Sequence, residues 1–136
     1  MVFIMKRLKL ALLIGGIGLI IAILHLLAIN FFLYWDLVWF DLLMHFLGGV
    51  WVALLGFWIM AFFTHTEEFS TRDIIYVSIF FTLGIGILWE VFEAGAGVSF
   101  VGKDMWGDTF SDLALYILGG LVSGFYISKR YSINIE

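Results

Sequence analysis

From residue 10 to residue 33 the chain carries no charged side chain, and only His25 and Asn30 interrupt the apolar run. A helix needs about 20 mostly apolar residues to cross a bilayer, so this one stretch already commits the chain to lipid. Three further stretches, 37–63, 74–93 and 108–127, are also mostly apolar and of spanning length. A polar break over 64–73 and a glycine-rich link over 94–107 separate the last three. Apolar residues make up 63% of the 136 and charged ones 13%, against about 25% charged in soluble domains. A soluble core of this size cannot hide that much apolar surface. The expectation is an all-α membrane protein: a single four-transmembrane-helix bundle over 1–136, multi-pass in the cell membrane, with membrane lipids as its surroundings.

The first span follows Lys6, Arg7 and Lys9, as the apolar core of a signal peptide would. Its length exceeds the roughly 7–15 residues of such a core, and no small-x-small cleavage site follows before Tyr34-Trp35-Asp36. It reads as a retained helix. Cysteine is absent, which removes disulfides and thiolate metal sites; proline is absent, so no helix needs a proline kink. A net charge of −4 argues against a nucleic-acid partner.

Lysine and arginine on short loops set the orientation of spans. Lys6, Arg7, Lys9, Arg72, Lys129 and Arg130 fall on one side of a four-span arrangement, and only Lys103 on the other. Both termini are therefore expected to be cytoplasmic. Tyr34, Trp35, Trp39, Phe100 and Trp106 would then form an outer aromatic belt, and Trp58, Tyr76 and Tyr126 an inner one. The acids are distributed the opposite way. Asp36, Asp41, Glu90, Glu93, Asp104, Asp108 and Asp112 lie toward the outer side; Glu67, Glu68, Asp73 and Glu136 lie toward the inner.

Three pairs carry the chemistry. Asp41 and His45 are spaced i,i+4 at the start of the second span, Glu90 and Glu93 i,i+3 at the end of the third, and Asp108 and Asp112 i,i+4 at the start of the fourth. Each spacing puts both side chains on one helical face, and three helices deliver polar groups at one depth. Mostly small residues continue these faces: Gly49, Ala53 and Gly56 below His45; Gly86, Thr82 and Ser78 below Glu90; Gly119 and Ser123, after Tyr116, below Asp112. The first span carries Gly15, Gly18, Ala22 and His25, and the fourth also carries Gly120 and Gly124. Small residues line the contacts between membrane helices, so these faces are expected to point into the bundle.

A charge at mid-bilayer costs about 2.5–3.5 kcal/mol or more, and converging carboxylates repel one another. Either some carboxyls stay protonated, or a cation sits among them. Oxygen ligands with one imidazole suit Mg²⁺ or Mn²⁺, or Zn²⁺ with fewer ligands. Taken singly, each residue has a plainer reading. Asp36 and Asp104 suit solvated charges at the interface, and His65, Glu67 and Glu68 a solvated loop. Asp41 and Asp108 suit helix caps or charges on a helix N-terminus. Glu93 suits a wet position, His45 a hydrogen-bonded core histidine, and His25 a structural role. Their coincidence at one depth favours a shared site.

At these residues the chain resembles a family. Asp41-Leu-Leu-Met-His45-Phe46-Leu-Gly-Gly49 resembles the Asp-x-x-x-His-Phe-x-x-Gly segment of the YjdF-like inner-membrane proteins. Glu90-Val-Phe-Glu93 resembles their Glu-x-x-Glu, and Asp108-Thr109-Phe-Ser-Asp112 their Asp-Thr-x-x-Asp, with Gly119-Gly120 at a similar interval. The more distant VanZ-like proteins share Asp-x-x-x-His-Phe, but have Gln where Glu93 stands, Asn where Tyr116 stands, and an Arg before the fourth helix without a clear counterpart here. The resemblance covers about the last hundred residues. It implies the bundle and the site. It implies no reaction: the YjdF-like role is unassigned, and VanZ-like proteins are linked with glycopeptide-antibiotic resistance without an agreed mechanism.

The first functional reading is a divalent-metal-dependent enzyme acting on a lipid or lipid-linked substrate at the outer leaflet. Asp41, His45, Glu90 and Asp112 would hold Mg²⁺, Mn²⁺ or Zn²⁺, and Glu93 or Asp108 would be the general base on a water. Gly95, Gly97 and Gly102 would form a rim over the site. No nucleophilic Ser or Cys motif favours covalent catalysis. A second reading is proton or cation transport, for which a homo-oligomer would be needed to enclose a pore and for which the inner halves of the helices supply no acid or histidine. A third is a non-catalytic binding subunit.

Overall fold

The computed structural model describes residues 2–64, 69–97 and 105–131. The sequence expectations for His65, Glu67, Glu68, Phe100, Gly102, Lys103, Asp104 and Glu136 fall outside these residues. The described residues form four long helices and one single-turn helix: α1 (Val2–Asn30), α2 (Leu33–Asp36), α3 (Val38–Thr64), α4 (Thr71–Ala96) and α5 (Met105–Tyr131). All four long helices contain a segment long and apolar enough to cross a membrane: Arg7–Asn30, Val38–Thr64, Thr71–Ala96 and Trp106–Tyr131.

The helix ends have identifiable causes. The first span was expected to run to residue 33, but α1 stops at Asn30. Phe32 takes a left-handed backbone conformation with φ 57°, which a right-handed helix cannot accommodate. That conformation costs a non-glycine residue about 1–2 kcal/mol, so the turn that launches α2 is held by its surroundings. α4 begins earlier than the expected residue 74 because Ser70 and Asp73 form a capping box. The Asp73 N–H donates to Ser70 Oγ at 3.1 Å, and the Ser70 N–H donates to Asp73 Oδ2 at 3.3 Å. It ends at Gly97, whose φ of 66° suits a residue without Cβ and whose N–H donates to the Glu93 carbonyl.

The core is a three-helix unit of α3, α4 and α5. Gly49 and Gly119 set the crossing of α3 and α5. A Cβ added at Gly49 would lie 2.2 Å from the Tyr116 carbonyl oxygen, and one at Gly119 would lie 2.2 Å from the Phe46 carbonyl oxygen. Only glycine allows backbones this close. Gly120 and Gly124 face Thr82, Ile75 and Ser78 of α4, and Gly86 of α4 faces Leu113 and Tyr116 of α5. Matching residue numbers rise together on α3 and α5 and fall on α4, so α4 runs antiparallel to both.

The first helix departs from expectation. Gly15, Gly18, Ala22 and His25 were expected to line the interior. Gly15 meets nothing within 4 Å, Ala22 and His25 are exposed, and Gly18 faces the Trp51 indole. α1 packs on α3 and the short α2, and enters the core at one end through Leu10 and Ile14. Its buried face is Leu10, Ile14 and Ala28, and Trp51 Nε1 donates to the Ile14 carbonyl at 2.9 Å. A helix with a single long neighbour gains more by burying bulky aliphatic side chains than by a close approach at glycine. Leu10 and Ile14 join Leu54, Phe57, Ala61, Phe69, Ile74 and Ile127 in one apolar cluster. This cluster fills the end of the bundle where both the first and last described turns lie: the Arg7 guanidinium donates to the Ala61 carbonyl, and Tyr131 packs on Phe57. We call this the far end and the opposite one the site end.

Candidate functional site

The site end gathers the acids. Asp41 lies in the first turn of α3, with 5% of its surface exposed, and His45 one turn on, with 4%. The i,i+4 spacing stacks them on the face that Gly49 presses against α5. Asp112 reaches the same point from α5 and is 2% exposed. His45 Nε2 stands 3.4 Å from Asp41 Oδ1 and 3.6 Å from Asp112 Oδ2. The Tyr116 ring sits edge-on to the imidazole at 5.1 Å between centroids and walls it from the bundle interior.

On the α4 side, His45 forms a second group with Glu90 and Glu93. In each of the two groups, Asp41–His45–Asp112 and His45–Glu90–Glu93, one potential ligand atom per residue lies within 4.8 Å of the others. Glu90 and Glu93 are half-buried. Thr109 Oγ1 donates to Glu90 Oε2 at 2.8 Å. Asp108, in the first turn of α5, is half-buried and belongs to neither group. The structure therefore brings Asp41, His45, Glu90, Glu93 and Asp112 together and leaves Asp108 beside them. Asp41 and Asp108 both lie inside their helices rather than at the capping position. Asp36 is exposed at the end of α2.

The polar atoms here are only partly satisfied. His45 Nδ1, Asp112 Oδ1 and Glu90 Oε1 are buried without a hydrogen-bond partner. Native structures rarely leave such groups unpaired, and each one costs about 1–3 kcal/mol. Nor do the distances at His45 Nε2 close the account, because both exceed the 2.7–3.2 Å of an ordinary N–H···O bond. A doubly protonated imidazole would also bury an unpaired Nδ1–H. The spacing does fit a cation shell: with metal–ligand bonds of about 2.0–2.2 Å, neighbouring ligands of a tetrahedral ion lie about 3.4 Å apart. Among the described residues no lysine or arginine reaches the site end; Arg7, Lys9, Arg72, Lys129 and Arg130 all lie in the turns at the far end. Among the described residues, then, no lysine or arginine balances the acids.

Two residues near the site escape sequence reasoning. Tyr34 reads as a belt aromatic, yet it stands close enough to Asp41 and Glu93 to feel both charges. Its phenol is pushed up to about 12, first by burial and then by those two carboxylates. Its hydroxyl also shares a 2.9 Å hydrogen bond with His25 Nδ1. The left-handed turn at Phe32 folds α2 back over α3, which no sequence period announces. Thr109 stands out only as a position of the Asp-Thr-x-x-Asp segment. Its i,i+3 spacing from Asp112 was the available signal that it shares the buried face.

No curated protein and no solved structure matches the chain significantly, and no comparison supports the VanZ-like resemblance. A family model does match, over residues 1–132, under the description "Predicted membrane protein (DUF2238)". This is the family of the YjdF-like proteins, and the chain belongs to it.

Proposed function

We propose that this membrane protein holds a divalent cation, Mg²⁺, Mn²⁺ or Zn²⁺, between Asp41, His45, Asp112 and Glu90, and uses it to act on a lipid or lipid-linked substrate. The observation that carries the reading is the set of buried, unpartnered atoms on His45, Asp112 and Glu90, gathered with Asp41 and with no lysine or arginine beside them among the described residues. A bound divalent ion supplies Lewis-acid polarisation of a substrate oxygen and eases ionisation of an attacking water. Glu93 or Asp108 accepts the proton from that water. Glu93 is the better placed, since it faces His45, while Asp108 lies a turn nearer the end of the bundle. A lipid substrate is supported by position: Val91, Phe92 and Trp106, which flank the acids on α4 and α5, are exposed as membrane-facing side chains are. The transport reading gains no such support, because Phe57, Leu54, Ile74 and Ile127 fill the far half of the interior.

The charge asymmetry supports cytoplasmic termini and a site facing the outer leaflet. A membrane-impermeant thiol reagent should then label Asp36→Cys in intact cells and not Ser70→Cys, and the reverse pattern would invert the assignment. To test the activity, purified protein is incubated with vesicles of total membrane lipid extract, and lipid turnover is followed by mass spectrometry. A product should appear with added cation, disappear with EDTA, and be lost in Asp112→Asn together with bound metal. Glu93→Gln should lower turnover more than it lowers lipid binding. Unchanged lipids under every cation, with metal bound, would leave the non-catalytic binding subunit as the correct reading.

A further inference from the structure

The two ligand groups share only His45, and this bears on how many cations the site takes. Asp41 and Asp112 approach the Nε2 side of the ring, while Nδ1, buried in a residue only 4% exposed, has no partner. Glu90 and Glu93 form the second group on the same ring, and Glu90 keeps one buried oxygen, Oε1, unpartnered while Thr109 holds the other. Each group thus contains its own unsatisfied buried atoms. One cation among the first three ligands would leave the second group with two carboxylates, a bare oxygen and no lysine or arginine beside it among the described residues.

The charges lead to the same point. Asp41, Glu90, Glu93, Asp108 and Asp112 place five carboxylates at the site end, where no lysine or arginine is found among the described residues. With every carboxylate ionised, a single divalent ion leaves the cluster strongly negative, which would repel a phosphate-bearing headgroup. Two divalent ions bring it close to neutral and remove most of that repulsion. Paired divalent ions are suited to phosphoryl chemistry, because together they would hold the attacking and leaving oxygens of an in-line displacement.

We propose that the site takes two divalent cations, one held by Asp41, His45 and Asp112 and the other by Glu90 and Glu93 next to the same imidazole, and that its substrate is a phosphate ester or anhydride of a lipid. This rests on the metal-dependent reading above and extends it. With Glu93 engaged as a ligand, the proton acceptor becomes Asp108, which lies in neither group and remains half-buried beside them. Hydrolysis would then form a bond from the water oxygen to phosphorus and break the phosphorus–oxygen bond to the leaving group. The water proton would pass to Asp108 and on to the departing oxygen.

The test uses the full chain purified in detergent and loaded with Mn²⁺. Elemental analysis after gel filtration should find two ions per chain, and electron paramagnetic resonance should show a spin-coupled pair instead of the six-line signal of an isolated ion. In Glu90→Gln/Glu93→Gln the content should fall to one ion per chain and the six-line signal should appear. The wild-type spectrum needs no variant to fold, so it decides the question by itself. One ion per chain with an isolated signal in the wild type would overturn the two-cation proposal and leave the metal-dependent reading standing. No retained ion would overturn both.

Discussion

Toward the far end of the core, the buried hydroxyls all find carbonyls. Ser78 donates to Ile74 at 2.8 Å, Thr82 to Ser78 at 2.7 Å, and Ser123 across the interface to Val50 at 3.0 Å. Toward the site end, the same three helices bury Asp41, His45 and Asp112 and leave atoms of His45, Asp112 and Glu90 without partners. Both halves are built on the same small-residue faces, so packing alone does not account for the contrast. In the far half, the buried hydroxyls are satisfied, two within α4 and one across to α3. In the site half, polarity costs stability unless something else completes it, which is the mark of a binding site.

The largest expected effect tests the frame that both halves share. Gly119→Leu would drive a side chain into the Phe46 carbonyl and should cost more than the roughly 1–3 kcal/mol of ordinary overpacking. No monodisperse protein should survive gel filtration. Gly84→Leu, at a position with nothing within 4 Å, should leave the profile unchanged. Equal behaviour of the two variants would show that the α3–α5 crossing does not hold the halves in register.

A smaller effect sharpens the division between the halves. Ser123→Ala removes one interhelical bond, worth on average about 0.6 kcal/mol in a membrane protein and at most about 1.7. Its melting temperature should fall by a few degrees and by the same amount with or without added cation. A change in cation affinity would show that the far half takes part in the site.

The smallest effect concerns the edge of the site. Tyr34 should ionise near pH 12, so the absorbance titration of Tyr34→Phe should lack a component there. The neutral phenol is favoured in the folded state. Its contribution to stability is therefore complete below pH 10, the ordinary tyrosine range, and is lost as pH rises toward 12. Glu93→Gln removes one of the charges that raise this phenol, so the component should move down toward pH 10. A component that ignores Glu93 would separate Tyr34 from the acids.

Much of this was legible in the sequence, for reasons that particular residues make plain. Apolar runs of spanning length located α3, α4 and α5 to within a few residues, whereas α1 starts at Val2, well before the expected residue 10. The i,i+4 and i,i+3 pairs put Asp41, His45, Glu90, Glu93 and Asp112 on buried faces because helical period fixes direction once a helix is granted. What the sequence hid lies in tertiary choices. Period alone could not show that α1 would turn Leu10 and Ile14 inward and leave Gly15 and His25 outside, since both stripes satisfy it. Nor could it show that Phe32 adopts a left-handed turn, which brings Tyr34 back over the acids. Asp108 and Asp112 share a spacing, yet only Asp112 reaches His45, because burial deepens by a turn along α5.

The central claim is that the site half is incomplete without a cation, and melting temperature tests it most directly. Wild type and Asp112→Asn are melted in EDTA and again with excess Mg²⁺, Mn²⁺ or Zn²⁺. In EDTA the variant should melt higher, because it removes one of several buried carboxylates that repel one another when no cation is bound. With the right cation the order should reverse: the wild type gains about 2.7 kcal/mol at a hundredfold excess over Kd, and the variant gains little. The gain should shrink as pH falls, since the carboxylates and His45 must be deprotonated to bind. If the wild type melts at one temperature in EDTA and in every cation, and elemental analysis finds no metal, the claim is contradicted and the carboxyls are sharing protons instead.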